Sequence, residues 1–185
     1  MIKNLRKFAL LFILLGLSFV VACSKGDSKA EAKSTTVSNV KSGGAKGTTP
    51  AYNFTLTGLD GKKVTLADFK GKALIVDVWD TWCPPCKAEI PHFIELYKEY
   101  HSKGLEILGV AGGRYGKAAV EKFIKDYGIN YNNAIIDQAF NQGFGGIYNI
   151  PTTFVIDTDG NIYKKYIGYN DKSIFESDIK AILNL

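Results

Sequence analysis

The sequence is short of cysteine and histidine, has no clustered basic face, and holds no apolar run long enough to span a bilayer. Three cysteines in 185 residues, Cys23, Cys83 and Cys86, do not make a disulfide framework. Cys23 ends an apolar segment, which leaves only the close pair Cys83 and Cys86. A bridge across so small a loop staples little, so the use of the pair is redox chemistry. A zinc site would need two more ligands, and the only histidines, His92 and His101, stand at no familiar spacing, so no metal is expected. The formal charge of +5 belongs to the N-terminal extension. Residues 51–185 carry 15 basic and 16 acidic residues, a net of −1, which excludes a nucleic-acid surface. The glycine-rich stretches 109–116 and 143–146 lack the spacing Gly-x-Gly-x-x-Gly that cradles phosphate, and no cofactor is expected.

What is present begins with a basic N-terminus (Lys3, Arg6, Lys7) followed by the 14-residue apolar run Phe8 to Val21. That run falls short of the ~20 residues of a membrane span and reads as a signal peptide over 1–22. It ends Val20-Val21-Ala22-Cys23-Ser24, which resembles the lipobox of bacterial lipoproteins. The resemblance implies cleavage before Cys23, lipidation of its sulfur and anchorage to an extracytoplasmic membrane face. Residues 23–50 are rich in Ser, Lys, Gly, Thr and Ala, and beyond Cys23 hold no aromatic residue. Such a segment reads as a flexible tether with a reach of roughly 30 Å.

Residues 51–185 form the folded domain. A hairpin turns at Asp60-Gly61. The near-continuous apolar run Ala73 to Trp79 reads as a strand buried on both faces and interrupted by Asp77. A helix is expected over Lys87 to His101, kinked at Pro91, with His92 and His101 on its solvent side. Further elements are a strand over 105–111, a helix over 117–127, a short strand over 133–137, and a weak glycine-broken helix over 138–148. A strand over 152–157, a turn at Asp159-Gly160, a strand over 162–166 and a last helix over 172–183 complete the order. This alternation predicts an α/β fold with a central mixed sheet and helices on both faces.

The chemistry concentrates in Trp79-Asp80-Thr81-Trp82-Cys83-Pro84-Pro85-Cys86-Lys87-Ala88-Glu89-Ile90-Pro91. At a helix N-terminus the Cys83 thiolate would face free N–H groups and the positive end of the helix dipole, which lowers its pKa and makes it the attacker. Cys86, one turn on and more buried, would resolve. Pro84 and Pro85 stiffen the first turn, where missing N–H groups cost nothing.

With Ile150-Pro151-Thr152-Thr153 some 65 residues further on, these motifs make the domain resemble the thioredoxin-like thiol–disulfide oxidoreductases of bacterial envelopes. Within them it is most similar to the cytochrome c maturation thioredoxins and related tethered reductases, with the alkyl hydroperoxide reductase and thiol-specific antioxidant-like group nearby. The resemblance implies a thioredoxin-like fold with an N-terminal hairpin and an inserted helix–strand element. It implies a redox disulfide Cys83–Cys86, a cis-proline at Pro151 facing it, and an Ile150 backbone that pairs with substrate. Trp82, Pro84 and Pro85 would complete the substrate surface, with Trp79 in the core. Asp77 matches an acid that relays a proton in thioredoxins; alternation also allows it simply to point out of the sheet. Glu89 matches an acid kept near the cysteines in some tethered reductases, against an ordinary exposed helix position. Asp80 departs from the small residue usual there, and an extra carboxylate should disfavour the thiolate and alter partner choice. Expected partners are protein thiols and disulfides, apocytochrome c among them, and a membrane electron donor, with the chain acting as a monomer. Competing readings are a thiol peroxidase, which wants a lone peroxidatic cysteine, a copper chaperone, which wants Cys-x-x-x-Cys and a distal histidine, and a structural lipoprotein.

Overall fold

A computed structural model describes residues 46–185. The signal peptide, Cys23 and most of the tether lie outside the described residues. The six-stranded sheet has the order β1-β8-β7-β4-β5-β6. Its strands are β1 (Thr49–Pro50), β4 (Ala73–Trp79), β5 (Leu105–Ala111), β6 (Asn132–Ile135), β7 (Thr152–Ile156) and β8 (Asn161–Ile167). A separate hairpin pairs β2 (Thr55–Thr57) with β3 (Lys63–Thr65). The helices are α1 (Pro84–Tyr100), α2 (Lys117–Tyr127), α3 (Gln138–Gly143) and α4 (Lys172–Leu183). β4, β5 and β6 run parallel while β7 is antiparallel to β4, so the sheet is mixed, as expected.

β4 is buried along its whole length and its side chains divide between two cores. Ile75 and Trp79 join the cluster beneath α1, α2 and α4, which holds Ile90, Phe93, Phe123, Phe175 and both cysteines. Leu74, Val76 and Val78 join the opposite cluster, built from Phe54 and Leu56 of the hairpin side and Phe140 and Phe144 around α3. Three helices thus cover one face. On the other face, expected to carry helices too, the hairpin does most of the covering, with only the one-turn-and-a-half α3 beside it.

Three expectations are corrected. The redox helix begins at Pro84 rather than Lys87, because Cys83 itself is the N-cap and Pro84 and Pro85 fill the first two positions. The helix is continuous through Pro91, the position of the expected kink, and Pro91 lies on the exposed side, where the missing N–H is cheapest. His92 is not on the solvent side: it is half-buried, its ring 5.7 Å from that of Tyr169, and its Nδ1 is buried without a partner. The domain also begins before residue 51, since Thr49 and Pro50 pair with Ile162 and Asn161, and the Gly47 N–H donates to Asp157 at 2.8 Å. So short an edge segment is held by polar contacts, among them the Gly47 and Lys46 bonds to the Asp157 and Asp159 carboxylates, and leaves no hydrophobic pattern in the sequence.

One row across the sheet is polar or small. Thr153 pairs with Asp77, Asp77 with Gly109, and Gly109 with Asn133. Gly109 leaves the space that the Asn133 side chain fills: an added Cβ would stand 2.0 Å from Asn133 Oδ1 and 2.9 Å from Trp79 Nε1. The indole donates to that same Oδ1 at 3.2 Å. Gly109→Ala is therefore expected to lower stability by about 1–3 kcal/mol, as overpacking does in a closed core. A thermal melt checks it, and an unchanged midpoint would contradict the close packing of this row.

Candidate redox site

Loops meet at one end of the sheet. β4 ends at Trp79 beside Ala111, the last residue of β5, and Val78 pairs with Thr152, the first residue of β7. Thr152 in turn faces Ile167 at the end of β8. The turn 80–83, the loop 112–116, the segment 149–151 and the loop 168–171 therefore lie together, at the carboxyl ends of the parallel strands where open α/β sheets hold their sites. Pro151 is here, and the Ile150–Pro151 bond is cis. Ile150 packs on the cluster that contains both cysteines.

The local sequence builds the redox turn directly. The Cys83 N–H donates to the Asp80 carbonyl at 3.2 Å. Pro84 and Pro85 have no N–H, so the first free amide of α1 is that of Cys86, and it donates to Cys83 Sγ at 3.2 Å. The next, from Lys87, goes to the Cys83 carbonyl at 3.1 Å. Cys83 and Cys86 form a disulfide, with S–S 2.00 Å and Cα–Cα 5.3 Å. Exposure does not rank the two sulfurs as expected, since Cys83 is 2% and Cys86 1% exposed in the bridged state. Position does: only Cys83 stands at the helix terminus with an amide aimed at its sulfur, where negative charge is stabilised.

Asp77 does not point away to solvent: it is 1% exposed and one of its oxygens, Oδ1, has no hydrogen-bond partner. Burial drives its carboxyl well above the usual range, and the neighbouring Glu89 raises it further. Glu89 is not an exposed helix residue either. On α1 it shares the buried stripe Cys86, Glu89, Ile90, Phe93, one turn from the resolving cysteine. Burial lifts it to about 7, against the partial relief of an Asn170 N–H at 2.8 Å and the Thr153 hydroxyl at 3.5 Å. The Tyr131 hydroxyl, also buried and unpartnered, is driven up by burial and by Asp77 and Glu89. Sequence reasoning missed Tyr131, Thr153 and Asn170. Thr153, two residues after Pro151, carried the one available signal.

Asp80 is 3% exposed, and its oxygens are taken up by neighbouring N–H and O–H groups. Trp79 is fully buried, whereas Trp82 is 44% exposed and Pro84 and Pro85 are exposed, so the expected rim stands open around the disulfide. A cavity of about 520 Å³ opens elsewhere, between the hairpin and β6, and neither cysteine lines it.

The fold and this turn define a thioredoxin-like α/β protein with a Cys-x-x-Cys dithiol at a helix N-terminus. Residues 45–183 match the family model described as Redoxin, and the chain belongs to that family. It is 39% identical over 132 residues to the thiol-disulfide oxidoreductase ResA of Bacillus thuringiensis (strain Al Hakam), covering 71% of this chain and 76% of the relative. To ResA of Bacillus subtilis (strain 168) it is 33% identical over 181 residues, 98% of this chain and 96% of the relative. Among solved structures it is similar to a thiol:disulfide interchange protein of the thioredoxin family from Chlorobium tepidum TLS. That match has a TM-score of 0.68 and 36% identity, over 73% of this chain and 96% of the other. With that family and that site, the chain is a redox enzyme of thiol–disulfide exchange.

Proposed function

We propose that the chain is a lipid-anchored reductase on the extracytoplasmic face of a bacterial membrane, reducing disulfides of partner proteins through Cys83 and Cys86. The observation that carries the dithiol reading is the Cys86 amide on Cys83 Sγ at the start of α1. In the reduced enzyme the Cys83 thiolate attacks one sulfur of a partner disulfide and the other leaves as a thiolate. Cys86 then loses its proton and attacks Cys83 Sγ, which releases the second partner thiolate. Two electrons pass to the partner and the enzyme is left as the Cys83–Cys86 disulfide, for a membrane electron donor to reduce. Asp77 and Glu89 hold and move the Cys86 proton, and the Ile150 backbone beside Pro151 pairs with the substrate strand. Partners are exported thiol proteins, apocytochrome c among them, met by a monomer.

The reduction potential of the pair tests the direction. A value near about −270 mV fits a reductase, and one near about −120 mV would make the protein an oxidant instead. Insulin reduction by the full chain with a dithiol donor tests the activity itself, and no turnover with any donor would sink the proposal. For the anchor, metabolic labelling with a radioactive fatty acid is expected to mark the protein and to be lost in Cys23→Ser. Label retained in that variant would remove Cys23 as the lipid site.

A further inference from the structure

The buried Asp80 carboxylate and the loop it holds have no part in the exchange steps above. Oδ1 of Asp80 accepts the Thr81 N–H at 2.7 Å and the Thr81 hydroxyl at 3.3 Å. Oδ2 reaches across to the neighbouring loop and accepts the Arg114 N–H at 3.1 Å. A buried carboxylate so fully bonded is a rigid tie between the redox turn and the loop 112–116. Gly112 is shaped to it: an added Cβ would lie 2.6 Å from Asp80 Oδ2, and its own N–H bonds the Trp79 carbonyl at 2.8 Å.

The tie presents one group. Arg114 is the only arginine after Arg6 in a chain whose folded domain otherwise uses lysine. Its guanidinium carbon stands 5.4 Å from the ring centroid of Trp82, the exposed residue next to Cys83. A guanidinium attracted to an aromatic ring still carries several N–H donors that the ring does not satisfy, and these are available to a carboxylate. Among the described residues no carboxylate of the chain lies within ion-pair distance of Arg114. Residues 51–185, with 15 basic against 16 acidic residues, give no net field to steer a partner. Lys87 follows Cys86 on the helix, and Arg114 is the cation set against the exposed ring next to Cys83.

We propose that Arg114 is a specificity-determining residue that takes the carboxylate of an Asp or Glu flanking the partner's reactive cysteine, and that Asp80 is its positioning residue. The occupant is a cysteine-bearing protein segment with an acidic side chain close to the sulfur. This rests on the exchange activity proposed above, and two substrate classes keep the two claims apart. The test compares kcat/KM of the full chain on two peptides with the same disulfide, one flanked by glutamates and one by lysines, and also follows insulin reduction. Wild type is expected to favour the acidic peptide by roughly fivefold, the scale of one exposed ion pair. Arg114→Glu should invert the ratio, Arg114→Lys should keep part of it, and Arg114→Ala should bring it close to one. Asp80→Asn keeps the volume but turns an amide N–H toward the N–H groups it must receive. It is expected to erase the preference through KM with the charge at 114 intact, a result that loss of charge could not give. The position-114 variants are exposed changes, so they decide the case even if Asp80→Asn folds poorly. Equal kcat/KM on both peptides in wild type, or a ratio indifferent to the charge at 114, overturns the proposal while insulin reduction stands. No reduction of insulin or either peptide overturns the exchange activity itself.

Discussion

Cys83→Ser is expected to take insulin reduction down to the uncatalysed background, whereas Cys86→Ser is expected to leave a protein that attacks once and stays attached. The difference follows from position. Only Cys83 carries an amide on its sulfur, at the positive end of a 17-residue helix, so only its thiolate is prepared to attack. Cys86 lies one turn in, behind Pro84 and Pro85, with no helix-terminal amide on its sulfur, so its part is to resolve what Cys83 has captured. Its loss leaves the mixed disulfide unresolved, and the adduct should accumulate in stoichiometric amount on non-reducing gels and by intact mass. Adducts forming equally on both variants would mean that the two sulfurs share attack. Adducts on Cys83→Ser alone would reverse the assignment.

Much of this was legible because the signals are local. A run as apolar as Ala73 to Trp79 has few other structures open to it, and a Cys-Pro-Pro-Cys turn that follows it places a helix start within three residues. Glu89 was harder to place. The apolar stripe of α1 reads as Ile90, Phe93, Ile94, Tyr97 and Tyr100, but the buried face is rotated toward Cys86, Glu89, Ile90, Phe93, Leu96 and Tyr100. What covers Glu89 is the amide of Asn170, 81 residues away, and no periodicity within the helix reports that. Asp77 posed the opposite difficulty. In a strand buried on both faces alternation makes no distinction, so burial of its carboxyl follows whichever way it points. The strand Thr49–Pro50 left no mark at all, being two residues whose only role is to pair backbone at an edge. Arg114 was invisible for a related reason: its place is set by the Asp80 carboxylate across 34 residues, and each alone reads as an ordinary charged loop residue.

Glu89→Gln is expected to do two opposite things, and their combination identifies the proton site. Asp77 and Glu89 are buried like charges, so both cannot be ionised cheaply, and the pair keeps a proton near neutrality that ordinary carboxylates would have lost. Glu89 titrates at about 7, where it can accept the proton that Cys86 must lose on attacking Cys83 Sγ. Resolution of the mixed disulfide should therefore accelerate with pH through about 7 in wild type. That limb should vanish in Glu89→Gln, and Asp77→Asn should slow the step by on the order of 10²-fold. Stability moves the other way. Between the ordinary glutamate value of 4.5 and about 7 the folded protein holds a proton that the unfolded chain has released, so stability falls as pH rises through that window. Glutamine can still accept the Asn170 N–H without ever carrying the buried charge. Glu89→Gln should flatten the decline and gain on the order of 2–4 kcal/mol at pH 8, read from denaturant melts across pH. Slower resolution with an unchanged slope of stability against pH would place the proton elsewhere. A flattened slope with unimpaired resolution would make Glu89 a buried charge without a part in exchange. Only a site built to move a proton should become more stable and slower at once, because the desolvation that burdens the fold is the same desolvation that brings the carboxyl to neutrality.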